Sequence, residues 1–178
     1  MKKILSLLVA LMMLLGVAPA LAQTVHVQEQ AAAFDVEITI PEDAEIAQHE
    51  FAEFSSLEIN MGDGMPKYVL TIAFTEEIDN DRSMSDFTED EKNALVDLWS
   101  EGMAAPTYAY EALPDGNLML LLEENSKDAD YAYIITVYHG YFFNLYGSRE
   151  NYAELTAADL SEMYEIIRSL VITPVTEA

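Results

Sequence analysis

The sequence predicts an α+β domain, an antiparallel β-sheet with two amphipathic helices packed on it, and three observations carry that expectation. Several short segments alternate apolar and polar residues with the period of two that a half-buried strand requires. Two others place apolar residues at helical spacing behind a Thr-x-x-acid capping box. The order is strands, helix, strands, helix with hairpin-length links, which favours antiparallel pairing over βαβ crossovers.

Composition bounds what such a domain can do. The 178 residues include 32 Asp or Glu, 8 Lys or Arg and no Cys, for a formal charge of -24. High net charge alone would suggest disorder, but 51% of the residues are hydrophobic and 10% aromatic, enough to stock a core. A chain this negative repels phosphate backbones, which excludes nucleic-acid binding driven by counterion release. The lack of Cys removes disulfides, thiolate zinc sites and Cys nucleophiles.

From the N-terminus, Lys2 and Lys3 precede an apolar run, Ile4 to Leu15, broken only by Ser6, and then Gly16, Pro19 and Ala20-Leu21-Ala22. This is the order of a secretory signal peptide over residues 1–22, cleaved after Ala22, and it predicts a secreted or periplasmic protein. The 19 residues from Ile4 to Ala22 could also just span a bilayer as an uncleaved anchor. Pro19 and the A-x-A site favour cleavage, after which no stable membrane insertion is expected. Cleavage removes two basic residues and no acid, leaving six bases against 32 acids and a charge of -26 over 156 residues. Residues 23–33, polar and alanine-rich, read as a flexible tether ahead of one domain, residues 34–178.

Phe34, Val36, Ile38 and Ile40 alternate with polar residues and predict a strand, ended by Pro41-Glu42-Asp43. Glu50 to Asn60 reads as a second strand of mixed pattern, the glycines of Met61 to Pro66 as a turn, and Tyr68, Leu70, Ile72 and Phe74 as a third strand. Thr88 to Glu91 forms a capping box, and Leu95, Leu98, Trp99 and Met103 fall on one stripe of the helix that follows. Leu118 to Leu122, apolar throughout, suits a strand covered on both faces. Tyr131 to Tyr138 and Tyr141 to Tyr146 read as a hairpin about His139-Gly140. A second helix starts at Thr156, with Leu160, Met163, Tyr164, Ile167 and Leu170 as its buried stripe, and Val171-Ile172-Thr173 closes as a short strand.

The strand ending in Ile40-Pro41-Glu42-Asp43, the Tyr-rich hairpin and the closing Ile166-Ile167-Arg168-Ser169-Leu170 together resemble the architecture of PsbP-like and Mog-type domains. The resemblance covers most of the mature chain and rests on short motifs. It implies a non-catalytic α/β sandwich acting as a ligand-binding or adaptor module, and it transfers no site residue.

Chemistry-bearing motifs are sparse. No serine lies in a G-x-S-x-G elbow, and His26, His49 and His139 form no metal-binding spacing. Gly62 and Gly64 lack the third glycine and the Lys-Ser or Lys-Thr of a phosphate cradle. Calcium is the better candidate: Asp79-Asn80-Asp81-Arg82-Ser83 matches the start of an EF-hand loop, and Glu76, Glu77, Asp79, Asp81 and Asp86 are the candidate ligands. The match breaks at Met84, where the loop needs Gly, and the capping box explains the later acids without a metal. The acidic run from Glu76 to Glu91 otherwise suits a cationic or protein partner. Seven Tyr or Phe residues fall between Tyr131 and Tyr146, and Tyr131, Tyr133 and Tyr141 are the candidate ligand-binding residues of an aromatic platform. The expected function is therefore a secreted acidic binding or adaptor domain without catalysis. The alternatives are a small secreted hydrolase using paired carboxylates, or a calcium-binding extracellular protein.

Overall fold

The computed structural model of the chain describes residues 21–27, 34–51, 54–74, 78 and 82–174. The expected signal peptide lies outside the described residues except for Leu21 and Ala22. Residues 23–27, expected as part of a tether, are instead a strand: β1 (Leu21–Val27) pairs antiparallel with β2 (Phe34–Pro41), Val25 opposite Ile38. Thr24, Val25 and Val27 are β-branched, and with Val25 buried the segment gains a packing reason to extend the sheet.

The rest builds a larger sheet and two helices. Its strands are β3 (Glu45–Glu50), β4 (Phe54–Asn60), β5 (Lys67–Phe74), β6 (Pro106–Ala112), β7 (Leu118–Ser126), β8 (Ala129–Tyr138) and β9 (Tyr141–Ser148). The helices are α1 (Glu89–Trp99) and α2 (Ala157–Arg168), and β10 (Val171–Pro174) ends the described chain. The strands form two antiparallel sheets, one of order β1-β2-β10 and one of order β3-β4-β5-β9-β8-β7-β6. The fold is thus α+β as expected, with two sheets where the sequence suggested one.

Besides β1, two further strands escaped the sequence reading. The strand expected over Glu50 to Asn60 is β4, which begins only at Phe54, and the strand that precedes it, β3, pairs with it as a hairpin that was not expected; the Phe51 amide donates to Phe54 O at 2.9 Å. All six residues of β3 are exposed, so no alternation marked it. β6 is likewise an edge strand, mostly exposed, whose Ala109 and initial Pro106 weaken the strand pattern. The β8–β9 turn is as expected, and both its residues are left-handed, His139 at φ 50° and Gly140 at φ 80°, the geometry of a two-residue type I′ hairpin.

The larger sheet is packed on both faces. On one face Leu57, Ile59, Leu70, Ile72, Phe143 and Leu145 meet Val36, Ile38 and Ile40 of β2 and Met163, Ile166 and Ile167 of α2. Each such side chain contributes about 1.5–3 kcal/mol on burial. Gly147 lets α2 approach here, because a Cβ at that position would overlap the Met163 thioether and lie 3.2 Å from the Tyr68 ring. On the opposite face Leu95 and Val96 of α1, with Met84 and Phe87, pack against Leu120, Ile135 and Val137. Leu98, expected in the buried stripe of α1, is 64% exposed, because the contact line runs through Leu95, Val96 and Trp99.

Both helices start as their sequences dictate. Thr88 Oγ1 accepts from the Glu91 amide at 3.3 Å while Glu91 Oε2 accepts from the Thr88 amide at 2.7 Å. Thr156 and Asp159 make the same reciprocal pair at 3.3 and 2.7 Å. Each box satisfies two amides that the first helical turn leaves without partners.

Candidate functional site

Strand register decides which chemistry shares a surface. On the α1 side of the larger sheet, Tyr131 lies opposite Ser148, Tyr133 opposite Tyr146 and Ile135 opposite Asn144. One strand further, Ser148 lies opposite Lys67 and Tyr146 opposite Val69. Directly opposed residues of an antiparallel pair point to the same side. Glu124, Tyr131, Ser148, Lys67 and Asn60 therefore form one row across five strands, and Tyr133, Tyr146 and Val69 the row beside it.

The tyrosines of these rows touch. Ring centroids are 5.6 Å apart for Tyr131 and Tyr133, 5.9 Å for Tyr131 and Tyr146, and 5.2 Å for Tyr133 and Tyr146. Trp99, from the last turn of α1, meets Tyr133 edge-on at 5.5 Å. All four residues are half-buried, with part of each surface still open. Burial pushes the Tyr131 and Tyr133 phenols up, and the Glu124 charge adds to the shift at Tyr131, so both remain neutral donors.

The structure thus brings together two of the three tyrosines expected as a platform. Tyr141 is not one of them: it is buried among Phe143, Leu145 and the other residues on the opposite face of the sheet. Alternation along β9 sends Tyr141 inward and Tyr146 to the platform side. Tyr146 was missed, though a two-residue turn at His139-Gly140 already sets Tyr146 opposite Tyr133.

Polar atoms near the rings are incompletely paired. Glu124 is only 2% exposed, and its Oε2 accepts from the amides of Ala104 and Ala105 at 2.7 and 3.2 Å. Burial opposes its charge, but those amides and Ser126 outweigh that and hold the carboxyl below its usual range. Glu124 Oε1, Asn144 Oδ1 and Trp99 Nε1 are buried without a hydrogen-bond partner among the described residues.

The row of Tyr131 runs into a hollow of about 320 Å³, lined by Asn60, Gly62, Met65, Lys67, Ser148, Arg149 and Glu150. Lys67 Nζ bridges Glu58 at 2.6 Å, and Arg149 donates to Asp159 through Nε and Nη2 at 2.8 Å each and to Gly64 O at 3.0 Å. The hydrogen bond from Lys67 is the main cause holding the Glu58 carboxyl below its usual range.

Of the expected calcium ligands, Glu76, Glu77, Asp79 and Asp81 lie outside the described residues. Asp86 is described, and its Oδ2 accepts from the Ser83 amide at 2.8 Å to close a 3-10 turn, Met84–Asp86. Arg82, the basic residue within the acidic run, clasps Glu91 at its end with two hydrogen bonds of 2.8 and 2.9 Å and lies 5.1 Å over the Phe87 ring. That clasp, with the Thr88 amide and hydroxyl, pulls the Glu91 carboxyl down to about 2. Among the described residues no three His, Asp or Glu side chains group to hold a metal ion, and no helix is long and apolar enough to cross a membrane.

A second polar cluster lies behind the hollow. The fully buried Tyr68 hydroxyl donates to Glu162 Oε2 at 2.6 Å, and Asp159 holds Arg149 in front of it. Burial raises the Glu162 carboxyl, whereas Arg149 and the Thr156 cap outweigh burial and lower that of Asp159. Every one of these side chains is engaged in tying α2 to β5 and β9. No protein-family model matches the chain, and a search of curated proteins finds no relative.

Proposed function

We propose that this chain is a binding or adaptor domain without catalytic activity, and that its ligand sits on the sheet surface formed by Tyr131, Tyr133 and Tyr146. The observation that carries this reading is the contact cluster of three half-buried tyrosine rings, 5.2–5.9 Å apart, on one face of the sheet beside a hollow of about 320 Å³. Aromatic side chains on strands offer large contact area with little entropy to lose, which suits recognition more than chemistry. The resemblance to PsbP-like and Mog-type domains, which implies a ligand-binding or adaptor module, supports the same reading. So does the residue pattern of a secretory signal over residues 1–22, which supports a site outside the cytoplasm, where a solvated acidic coat would favour solubility.

The test uses the single tryptophan, Trp99, which reports on Tyr133 directly. A chemically broad set of amines, peptides, divalent ions and glycans is screened by Trp99 emission and thermal shift, on the wild type and on a Tyr131→Ala/Tyr146→Ala double variant. The reading expects hits that vanish in the variant and are recovered unchanged after binding. Hits that persist in the variant, or a hit converted to product, would overturn it.

A further inference from the structure

We infer that the tyrosine surface and the hollow at its end form one continuous subsite for a neutral polyhydroxylated ligand, a saccharide chain. The inference rests on the binding reading above and adds the ligand's chemical class. Its first support is charge balance. The hollow holds Lys67 and Arg149, two of the six basic residues that follow Ala22, in a chain of formal charge -24. Each is neutralised by a carboxylate, Glu58 at 2.6 Å and Asp159 at 2.8 Å, with Glu150 at the rim. Electrostatic selection of a cation or an anion needs an uncompensated field. The lining here is close to balance, so recognition falls to hydrogen bonding and shape.

The second support is the kind of hydrogen-bonding groups present. Lysine and arginine donate, Glu150 accepts, and the Asn60 amide and Ser148 hydroxyl belong to types that do both. Donors and acceptors interleaved in one hollow match a ligand whose groups are each both donor and acceptor, which is what sugar hydroxyls are. The third support is continuity. Ser148 sits directly opposite Tyr131 and next to Lys67, so the polar hollow and the rings adjoin along one row of the sheet. The C–H faces of a pyranose pack against the negative faces of aromatic rings while its hydroxyls reach the polar rim. A pocket of this volume is in the range that accommodates small ligands.

The test is an array of neutral, acidic and amino glycans probed with the full mature chain, followed by Trp99 titration with the best neutral oligosaccharide. The expected result is binding of at least one neutral oligosaccharide, little changed from low salt to about 0.5 M salt. Tyr131→Ala and Tyr146→Ala should each weaken it about tenfold. Ser148→Phe, which fills the hollow from the solvent side and leaves Trp99 the single tryptophan, should also weaken it while the thermal midpoint stays near that of the wild type. Binding confined to the charged glycans, lost in Tyr131→Ala, would overturn the neutral ligand class and leave the binding surface standing. Glycan binding unchanged in all three variants would overturn both. An array with no bound glycan would overturn the saccharide class, whereas the broader screen decides the surface separately.

Discussion

Arg149 and Asp159 face each other through two parallel hydrogen bonds of 2.8 Å, with side chains 20% and 7% exposed, and this pair fastens the N-terminus of α2 to the end of β9. Asp159 simultaneously caps its own helix through Thr156, and Arg149 reaches across to Gly64 O in the β4–β5 turn. One ion pair therefore sets helix entrance, strand end and turn together, and through that turn it shapes the hollow.

Removing one member of this pair leaves the other desolvated and unpaired. Arg149→Ala should lower unfolding free energy by about 3–5 kcal/mol in urea denaturation, whereas the double variant Arg149→Met/Asp159→Leu should recover part of the loss. A loss in Arg149→Ala below about 1 kcal/mol would mean that solvent already screens the pair.

Acid should destabilise the protein through carboxylates held down in the fold. Glu91, at about 2, and Asp159, lowered, bind protons more weakly folded than unfolded, so their stabilisation is complete above the ordinary carboxylate range. It is lost as pH falls through their folded values. The thermal midpoint should drop steadily below about pH 4, and Glu91→Gln should flatten that slope. A slope unchanged in Glu91→Gln would remove Arg82 and Glu91 from the account.

Glu162 runs the opposite way. Its carboxyl is raised by burial, so folded protein holds that proton to higher pH than unfolded protein, and stability declines as pH rises through the window between the two. Glu162→Gln keeps an acceptor for the Tyr68 hydroxyl and removes the half-buried charge. It should be at least as stable as the wild type at pH 7 and lose that advantage below the ordinary carboxylate range; a variant clearly weaker at pH 7 would show that the Tyr68 bond needs the charge.

Gly147 is a packing position, since a Cβ there meets Met163 and Tyr68, both fully buried. Gly147→Val should cost about 1–3 kcal/mol by overpacking, with Met163→Ala in the same chain relieving part of it. Equal losses in the single and double variants would contradict this contact.

Asn117 joins β7 to β8 and to the 3-10 turn before α1. Its Nδ2 donates to Val137 O at 2.9 Å and to Thr136 Oγ1 at 3.3 Å, while Oδ1 accepts from the Ser85 amide at 2.9 Å. Asn117→Ala strands these buried partners and should cost about 2 kcal/mol, with hydrogen exchange at the Ser85 amide speeding more than at β9.

The amino-acid sequence by itself determined those elements whose signal is local. The period-two runs of β2 and β5, the continuous apolar run of β7, the His139-Gly140 hairpin and both threonine capping boxes depend on residues within a few positions of one another, and each forms where the pattern puts it. The acidic coat and the aromatic density of residues 131–146 are equally properties of the chain. Tertiary structure alone decided what is non-local. β1, β3 and β6 carry weak or exposed patterns and exist because a neighbouring strand offers them hydrogen bonds. Leu98 left the buried stripe because the sheet chose which side of α1 to cover. The candidate surface belongs to this second class: Tyr131 meets Ser148, Lys67 and Asn60 only through the pairing of four strands drawn from 89 positions of sequence. Pairing partners are selected by burial of the opposite face, where Ile134, Leu145 and Leu70 lock the register, so the surface that faces solvent is set by the core that does not.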